Sequence, residues 1–406
     1  SAMVASYVDQ GSVQWDQPVV DAWSGFRAPT DALTRTLRVR DLLGMASGIR
    51  DPYTTNLHQM TADQLVESLV TMPVIGAVGS TFFYSNTVFA IGGYVPLLAT
   101  GVAPRDLEAA YAEAMRTRIF APAGMPGTVL VSDPLGVVDD YATGYIVDTR
   151  GRVVALPYGP MGSGAPAGGA QASVTDMAAW VRLQLRQGRS VSGRPVVSAT
   201  NLAECWRPHV DVPTEAGSNV RRTRYAMGWN VSDYQDGTQV TLHTGSWDGF
   251  STFMAFLPQH DLGLVVLTNM EPEPTGRFWM EVVLDSLLSR RLGLNVGGGQ
   301  AAIDGGARAV AEMVDVGRQA VRIDPKKVQP HLGYYEGNWS LVMVGSSLQL
   351  RIGPRVGTLL LLPDGTYFVS ASTLQGLRVE LGRDADGTPH LAFGGYETVR
   401  RMSGLG

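Results

Sequence analysis

The chain has 406 residues, of which 45% are apolar and 17% are charged, so it can bury a large core, and extensive disorder is excluded. Its net charge of −5 gives no broad positive field, which argues against nucleic acid and anionic membrane surfaces as partners. Cys205 is the single cysteine, so an internal disulfide is excluded, and we interpret it as a small buried residue.

Helical spacing of apolar residues dominates the first half of the chain. The segment from Ala2 to Gln10 is typical of the back half of an amphipathic helix that Gly11 stops. Further helices are predicted from Thr61 to Met72, from Pro104 to Phe120 and from Thr175 to about Gln187. The uncharged run from Val88 to Pro104 is too short and too interrupted for a membrane span, so it predicts a buried helix.

From Tyr225 onwards, short runs separated by turn residues predict an antiparallel sheet. The strands are predicted at Tyr225 to Val231, Gln239 to His243, Phe250 to Leu257 and Leu262 to Thr268, with a covering helix from about Arg277 to Leu292. The fold class is therefore α/β, more specifically α+β, with helices flanking an antiparallel sheet.

Glycine clusters at 297–299 and 305–306, followed by Pro325 and Pro330, mark a domain boundary. We predict a first domain over residues 1–292 and a linker over 293–329, with a short helix from Ala307 to about Val316. A small β-barrel is predicted over 330–406. Its strands are expected at 333–335, 348–352, 358–362, 367–371, 377–381 and 399–402.

Two short motifs are candidates for chemistry. Tyr84-Ser85-Asn86 lies in a loop that leads into the apolar helix, where a polar pair can point into a cleft. Alone, this motif is also explained as a helix N-terminus with an incidental tyrosine.

The second motif, His243-Thr244-Gly245, is predicted to end a strand and begin a turn, where small residues let a substrate backbone approach. Alone, it is also explained as a hairpin with a half-buried histidine. The other histidines show no ligand spacing, so we predict no metal site and no cofactor.

Six segments, in order, resemble the serine β-lactamase and penicillin-binding-protein family, which includes class C β-lactamases, D-aminopeptidases, esterases and penicillin-binding-type thioesterases. They begin at Val8-Asp9-Gln10-Gly11, Val39-Arg40-Asp41, Phe83-Tyr84-Ser85-Asn86, Ala167-Gly168-Gly169, Tyr225-Ala226-Met227-Gly228-Trp229 and His243-Thr244-Gly245. The resemblance covers roughly residues 1 to 292. It implies a β-lactamase/transpeptidase-like domain with an all-helical subregion, lacking its N-terminal part. The tail resembles the lipocalin-like domain often appended to such hydrolases.

In that family, a Ser-x-x-Lys motif begins the helix whose remainder lies here at Ala2 to Gln10. The serine attacks a carbonyl, and the lysine and the tyrosine of Y-x-N manage its proton. The resemblance therefore implies that Tyr84 is the general base and later the acid, and that Asn86 holds the substrate amide and the lysine. The backbone N–H of Ser246 would complete an oxyanion hole.

The residues around His243 shape the expected substrate. The resemblance implies that Thr244, Gly245, Trp247 and Asp248 bind substrate beside the strand edge. His243 departs from the Lys-Thr-Gly of β-lactamases and D,D-peptidases, and a histidine, largely neutral at pH 7, is a weaker anchor for a carboxylate.

We therefore expect a serine hydrolase that acts on peptide, amide or ester bonds of a small-molecule or peptide substrate, with a D-aminopeptidase-like peptidase favoured. A penicillin-binding-type thioesterase, acyltransferase or esterase is the alternative. A non-catalytic ligand-binding or sensor relative is the alternative from another class.

The usual nucleophile is missing, because the only lysines are Lys326 and Lys327 and no Ser-x-x-Lys can be found. Three explanations compete: a separate upstream polypeptide, an upstream segment outside this sequence, and a degenerate relative without activity. The preserved motifs argue against the degenerate relative. A fourth makes Ser1 an N-terminal nucleophile with its own amine as base. We expect the nucleophile to come from an upstream segment or a separate upstream chain.

No signal peptide is visible, which favours a cytoplasmic location, with secretion left open because the native N-terminus is expected to lie upstream.

Overall fold

The computed structural model describes residues 1–51, 60–130, 137–159, 161–213, 220–234, 236–271, 278–293, 299–336, 339–352, 355–370, 376–393 and 397–402. Within these ranges the chain forms a two-stranded, a six-stranded and an eight-stranded antiparallel sheet. The α-helices before the six-stranded sheet are α1 Ala2–Asp9, α2 Val19–Ala22, α3 Asp31–Thr36, α4 Val39–Leu43, α5 Ala62–Ser68, α6 Asn86–Ala99, α7 Leu107–Met115, α8 Ala121–Ala123, α9 Ala165–Gly168, α10 Val174–Leu185 and α11 Ala199–Trp206. Short 3-10 turns at Leu69–Thr71 and Pro104–Asp106 and a π-turn at Arg116–Phe120 belong to two of the predicted helical segments, those from Thr61 to Met72 and from Pro104 to Phe120.

Helix α6 lies at the centre of the helical region, and its residues 87–98 are all buried. This confirms the prediction of a buried helix over the apolar run. Gly92 lets α4 approach closely, since a Cβ there would lie 2.8 Å from a methyl carbon of Leu43. Helix α1 packs against both α6 and α11, ends before Gly11, which has φ of +79°, and thereby matches the predicted helix end.

The six-stranded sheet is a simple antiparallel meander. Its strands, in both chain and spatial order, are β3 Val210–Val212, β4 Val220–Tyr225, β5 Asn230–Tyr234, β6 Gln239–Trp247, β7 Phe250–Leu257 and β8 Leu262–Thr268. The two-stranded sheet precedes it, with β1 Tyr145–Val147 and β2 Val153–Ala155. Side chains alternate across β7, so Phe253 packs with helix α12 (Phe278–Leu292) on one face, whereas Phe256 packs with Val181 of α10 on the other. Helices therefore cover both faces of the sheet.

Two predictions in this sheet are wrong. The single strand expected from Tyr225 to Val231 is two strands, because the chain turns at Gly228, where φ is +86°. The strand expected to end at His243 continues to Trp247, and the turn falls on Asp248-Gly249. Both turn residues have positive φ, as a two-residue type I′ hairpin requires. The motif around His243 therefore lies within a strand.

The linker contains a longer helix than predicted, because α13 spans Gly299–Gln319, and α14 Pro325–Val328 follows it. The last sheet comprises β9 Gly333–Tyr334, β10 Trp339–Val344, β11 Ser347–Ile352, β12 Arg355–Leu361, β13 Tyr367–Ser370, β14 Arg378–Arg383, β15 Pro389–Phe393 and β16 Glu397–Arg400. Strands β10 and β15 were not predicted from the sequence. The sheet curls around a core that includes Trp339, and the N–H of Met402 donates to Tyr334 O over 2.9 Å, so its first and last strands approach each other. The resemblance of this domain to lipocalins stays a prediction.

Among the described residues, no single helix has the length and apolar character needed to cross a membrane, although Asn86–Ala99 and Pro104–Ala123 meet that criterion together as a bent pair.

Candidate active site

A pocket of about 220 Å³ opens between α1, α6 and the six-stranded sheet. It brings together four polar side chains from distant parts of the chain, namely Tyr84, Asn86, Tyr225 and His243, and Ser1 lies at its inner wall. The remaining lining is mostly apolar and includes Met3, Met45, Phe89, Met115, Phe120, Met125, Met177, Trp180, Trp229 and Met254. The two motifs predicted to share a cleft therefore line one pocket.

The loop before α6 is held rigidly from behind by Ser85. The Ser85 hydroxyl accepts from Val88 N–H over 3.0 Å, which caps α6, and donates to Asp51 Oδ2 over 3.1 Å. The Ser85 N–H donates to Met45 Sδ over 3.1 Å, and Met45 itself has a φ of +54°, a conformation that is costly for a residue with a long side chain. These contacts fix Tyr84 and Asn86, on either side of Ser85, toward the pocket.

Tyr84, Tyr225 and His243 form a cluster in the lining of the pocket. The Tyr84 ring meets the Tyr225 ring edge-on at 6.0 Å between centroids and lies 6.4 Å from the imidazole. Tyr225 Oη lies 3.2 Å from His243 Nε2. Sequence reasoning gave Tyr225 no role, although its segment was part of the resemblance.

The pKa values of both phenols are raised. Tyr84 is 43% exposed, yet desolvation within the cleft raises the pKa of its phenol, and the neighbouring Tyr225 hydroxyl opposes that rise. Burial raises the pKa of Tyr225 well above its usual value. Both hydroxyls therefore hold their protons at neutral pH, and Tyr84 needs a nearby cation or a proton acceptor to act as a base.

The other predicted site residues lie farther along β6 and are not among those lining the pocket. The Ser246 hydroxyl donates to Glu271 Oε1 over 2.9 Å, and Glu271 Oε2 accepts the N–H of Gly249 over 3.1 Å. The indole N–H of Trp247 donates to Gly159 O over 2.7 Å. Thr244 and Gly245 stand in the ladder opposite Phe253 and Thr252 of β7. This ladder and these bonds hold the end of β6 in place.

Asp248 at the hairpin tip connects the six-stranded sheet to the eight-stranded sheet. Its side chain is only 3% exposed, and its Oδ1 lies 3.1 Å from Arg355 Nη2 at the start of β12. The Arg355 guanidinium also lies 4.2 Å above the Trp247 ring. Desolvation raises the pKa of Asp248, and Arg355 opposes the rise. Nothing in the sequence indicated this contact across 107 positions.

Cys205 lies beneath the start of α1 and is fully buried, as interpreted from sequence, and burial raises the pKa of its thiol to about 11. Among the described residues, no group of three or more His, Cys, Asp or Glu side chains could hold a metal ion.

A family model described as Beta-lactamase matches residues 1–288. The Unguisins hydrolase ungD' of Aspergillus campestris is 25% identical over 302 residues, which cover 72% of this chain and 53% of the relative. A penicillin-binding protein of Bacillus subtilis is 26% identical over 272 residues, covering 63% of this chain and 55% of the relative. The chain thus spans about half the length of these curated relatives.

Among solved structures, the octameric penicillin-binding protein homologue from Pyrococcus abyssi superposes with a TM-score of 0.58 at 20% identity. The match covers 98% of this chain and 85% of that chain, so the likeness of fold extends beyond the first domain.

Proposed function

Because the chain belongs to the beta-lactamase family, whose members are serine hydrolases, we propose that it forms the cleft of a serine acyl hydrolase. The proposed substrates contain peptide, amide or ester bonds, and a peptidase of the D-aminopeptidase type is favoured. The observation that carries the proposal is the pocket in which Tyr84, Asn86 and His243 meet beside the first residue of α1.

The nucleophile and its lysine would come from a segment that precedes Ser1 or from a separate chain. Ser1 lines the pocket, so a segment that continues α1 backwards would enter it, and each added turn would advance about 5.4 Å. The methionine-rich and aromatic lining supports this, because such a surface is suited to burying the apolar face of a helix. Two turns of helix are enough to carry Ser-x-x-Lys.

The proposed reaction proceeds through an acyl-enzyme. In this step Tyr84 is a phenolate, which the ammonium of the upstream lysine would stabilise. The serine oxygen bonds to the substrate carbonyl carbon while its proton passes to the Tyr84 phenolate, and Tyr84 then gives that proton to the leaving amine or alcohol as the bond to it breaks. Water repeats these steps on the acyl-enzyme and releases the acid. Asn86, on the first turn of α6, is suited to hold the substrate amide.

His243 supports the preference for substrates without a fixed carboxylate. Its Nδ1 lies 2.6 Å from Thr244 O and its Nε2 lies 3.2 Å from Tyr225 Oη, so protein groups occupy both ring nitrogens. An imidazole bonded in this way offers a substrate anion no donor comparable to a lysine ammonium.

The test is labelling by a fluorophosphonate, which reacts with activated serines, in protein that carries the upstream segment. We expect one label per protein on the upstream serine, located by intact-mass and peptide mass spectrometry. Tyr84→Phe should slow labelling by about 100-fold or more, because it removes the proposed base. Tyr94→Phe is the matched control, since the Tyr94 hydroxyl donates to Ser163 O in the core and lies outside the proposed chemistry.

Other outcomes would separate the alternatives. Label on Ser1, lost in Ser1→Ala, would replace the upstream nucleophile with an N-terminal one. Saturable binding of a peptide without labelling or turnover would favour the sensor.

A further inference from the structure

The indole of Trp247 bonds to the segment that leads into one wall of the pocket. Trp247 is not among the residues that line the pocket, and its Nε1–H donates to the backbone oxygen of Gly159, 88 positions away along the chain. Two residues after Gly159 begins a segment that we call the strap, residues 161–171. Residues 165–170 of the strap all line the pocket. The end of β6 is therefore connected to the pocket wall through the backbone.

Gly159 fits against the hairpin too closely for a larger residue. A Cβ at this position would lie 1.7 Å from Asp248 Oδ2. The Asp248 side chain has little freedom to move aside, because it is 3% exposed and Arg355 holds its other oxygen over 3.1 Å. Only glycine therefore lets the backbone reach Trp247 and Asp248 together.

The strap is also held at its other end. The backbone N–H of Gln171 donates to Val129 O over 3.0 Å, and that of Val129 donates to Gln171 O over 3.0 Å. Between the two ends, Pro166 packs on α6, where a Cβ at Gly93 would lie 2.6 Å from Pro166 Cβ. Loss of the bond at Gly159 should therefore loosen the strap without releasing it.

We propose that Trp247 is a positioning residue that sets the place of the pocket wall by holding Gly159 and, with it, the start of the strap. In this role Trp247 influences which substrates fit without touching them. The inference rests on the proposed function in one respect, because it takes the pocket as the place where the substrate binds.

The first test is hydrogen exchange of the strap, which needs no activity. Two amides report on it, since Gly164 N–H donates to Met161 O over 3.0 Å and Gly169 N–H donates to Ala165 O over 2.9 Å. Trp247→Phe keeps an aromatic ring and removes the indole N–H. We expect both amides to exchange about 5- to 10-fold faster in this variant, because one hydrogen bond that anchors the strap is lost.

Two further variants make this test specific. Gly159→Ala should give a rise at least as large, because its Cβ pushes the same contact apart while the indole is intact. Trp15→Phe is the matched control, since it removes an indole bond of 2.9 Å to Asn201 of α11, outside the strap, and should leave both amides unchanged. Unchanged exchange in Trp247→Phe, or an equal rise throughout α10, would refute the positioning role.

The second test is fluorophosphonate labelling of protein that carries the upstream segment, with an ethyl and a decyl probe. Trp247→Phe should raise the half-saturating concentration of the decyl probe by about 5- to 10-fold and leave its maximal rate within about 2-fold of wild type. The expected split arises because binding of a long chain depends on the wall, whereas the chemical step depends on Tyr84 and the upstream serine. The ethyl probe, which is too short to press on the wall, should be affected less.

The outcomes separate this inference from the proposed function. An unchanged half-saturating concentration, or a lower maximal rate alone, would overturn the positioning role, the latter by giving Trp247 a part in the chemical step. If the wild type is not labelled by either probe, the proposed function fails, whereas the exchange measurement still decides whether Trp247 holds the strap.

Discussion

The contact between the six-stranded and eight-stranded sheets at Asp248 can be tested by replacing Arg355 with methionine. Methionine keeps most of the aliphatic stem and removes the guanidinium, which bonds to Asp248 Oδ1 over 3.1 Å and lies 4.2 Å above the Trp247 ring. The variant therefore leaves a carboxylate that is 3% exposed without its cation.

The size of the expected loss of unfolding free energy follows from the burial of Asp248. Removing one partner of a fully buried ion pair costs about 3–5 kcal/mol, because the remaining charge is uncompensated. The Arg355 side chain is 20% exposed, so water screens part of the effect. Together with a cation–π contact worth about 1 kcal/mol, the expected loss of unfolding free energy at pH 8 is about 3 kcal/mol.

The loss of unfolding free energy in Arg355→Met should be smaller at low pH than at high pH. Burial raises the pKa of Asp248 and Arg355 opposes the rise, so removing Arg355 raises this pKa further. A raised carboxyl pKa contributes stability that is present at low pH and is lost as the pH rises through the folded-state pKa. At pH 8 the Asp248 carboxyl of the variant is charged and unpaired, whereas near pH 4.5 it can take up a proton. The difference in unfolding free energy between variant and wild type should therefore shrink to about 1 kcal/mol near pH 4.5, which is the loss of the cation–π contact.

Urea unfolding at pH 4.5 and pH 8, followed by circular dichroism and tryptophan fluorescence, measures the deficit. Comparing variant and wild type at each pH removes the effects of other carboxyls. Arg351→Met is the matched control, because its guanidinium bonds to Gln349 within the same sheet and makes no contact across the domains among the bonds found. A deficit equal at both pH values, or no larger than that of Arg351→Met, would refute the reasoning.

Three further predictions concern stability, each measured as the shift in urea midpoint. Asp176→Ala should cost about 2–3 kcal/mol, because its Oδ2 accepts hydrogen bonds from the N–H of Gly127 over 2.9 Å and from the hydroxyl of Thr128 over 2.8 Å. Gly263→Ala should cost about 1–3 kcal/mol, because the new Cβ would lie 2.3 Å from Val181 Cγ1, and adding Val181→Ala should recover part of the loss if the clash is the cause. Tyr94→Phe should cost about 1–2 kcal/mol by removing the 2.9 Å bond to Ser163 O, and a neutral result would mean that this bond is replaced.

The sequence predicts regular, alternating strands well and irregular ones poorly. Strands β7 and β8 have the predicted bounds, since β-branched and aromatic residues fill them between clear turns. The end of β6 was misjudged because Thr244-Gly245-Ser246 is typical of a turn, whereas pairing with β7 holds it extended. Tertiary pairing outweighs local propensity there.

At the candidate site, too, the sequence predicts some contacts and not others. Tyr84 and His243 could be placed together because their motifs carry a recognisable order and spacing. The contact of Tyr225 with His243 depends on the order of β4, β5 and β6 in the sheet, and that of Arg355 with Asp248 depends on how the six- and eight-stranded sheets meet. Neither partnership has a local pattern, so only the folded chain reveals them.

The hairpin at Asp248-Gly249 has a practical consequence for anyone who divides this protein. A fragment ending in the linker would include every residue of the pocket, yet it would expose the ring of Trp247 and strip Asp248 of its cation. The smallest fragment that retains the native surroundings of this hairpin must include β12, and with it the sheet that holds that strand. The eight-stranded sheet thus supports the end of β6, and truncation before it would leave the pocket residues in place while the hairpin beside them lost its partner.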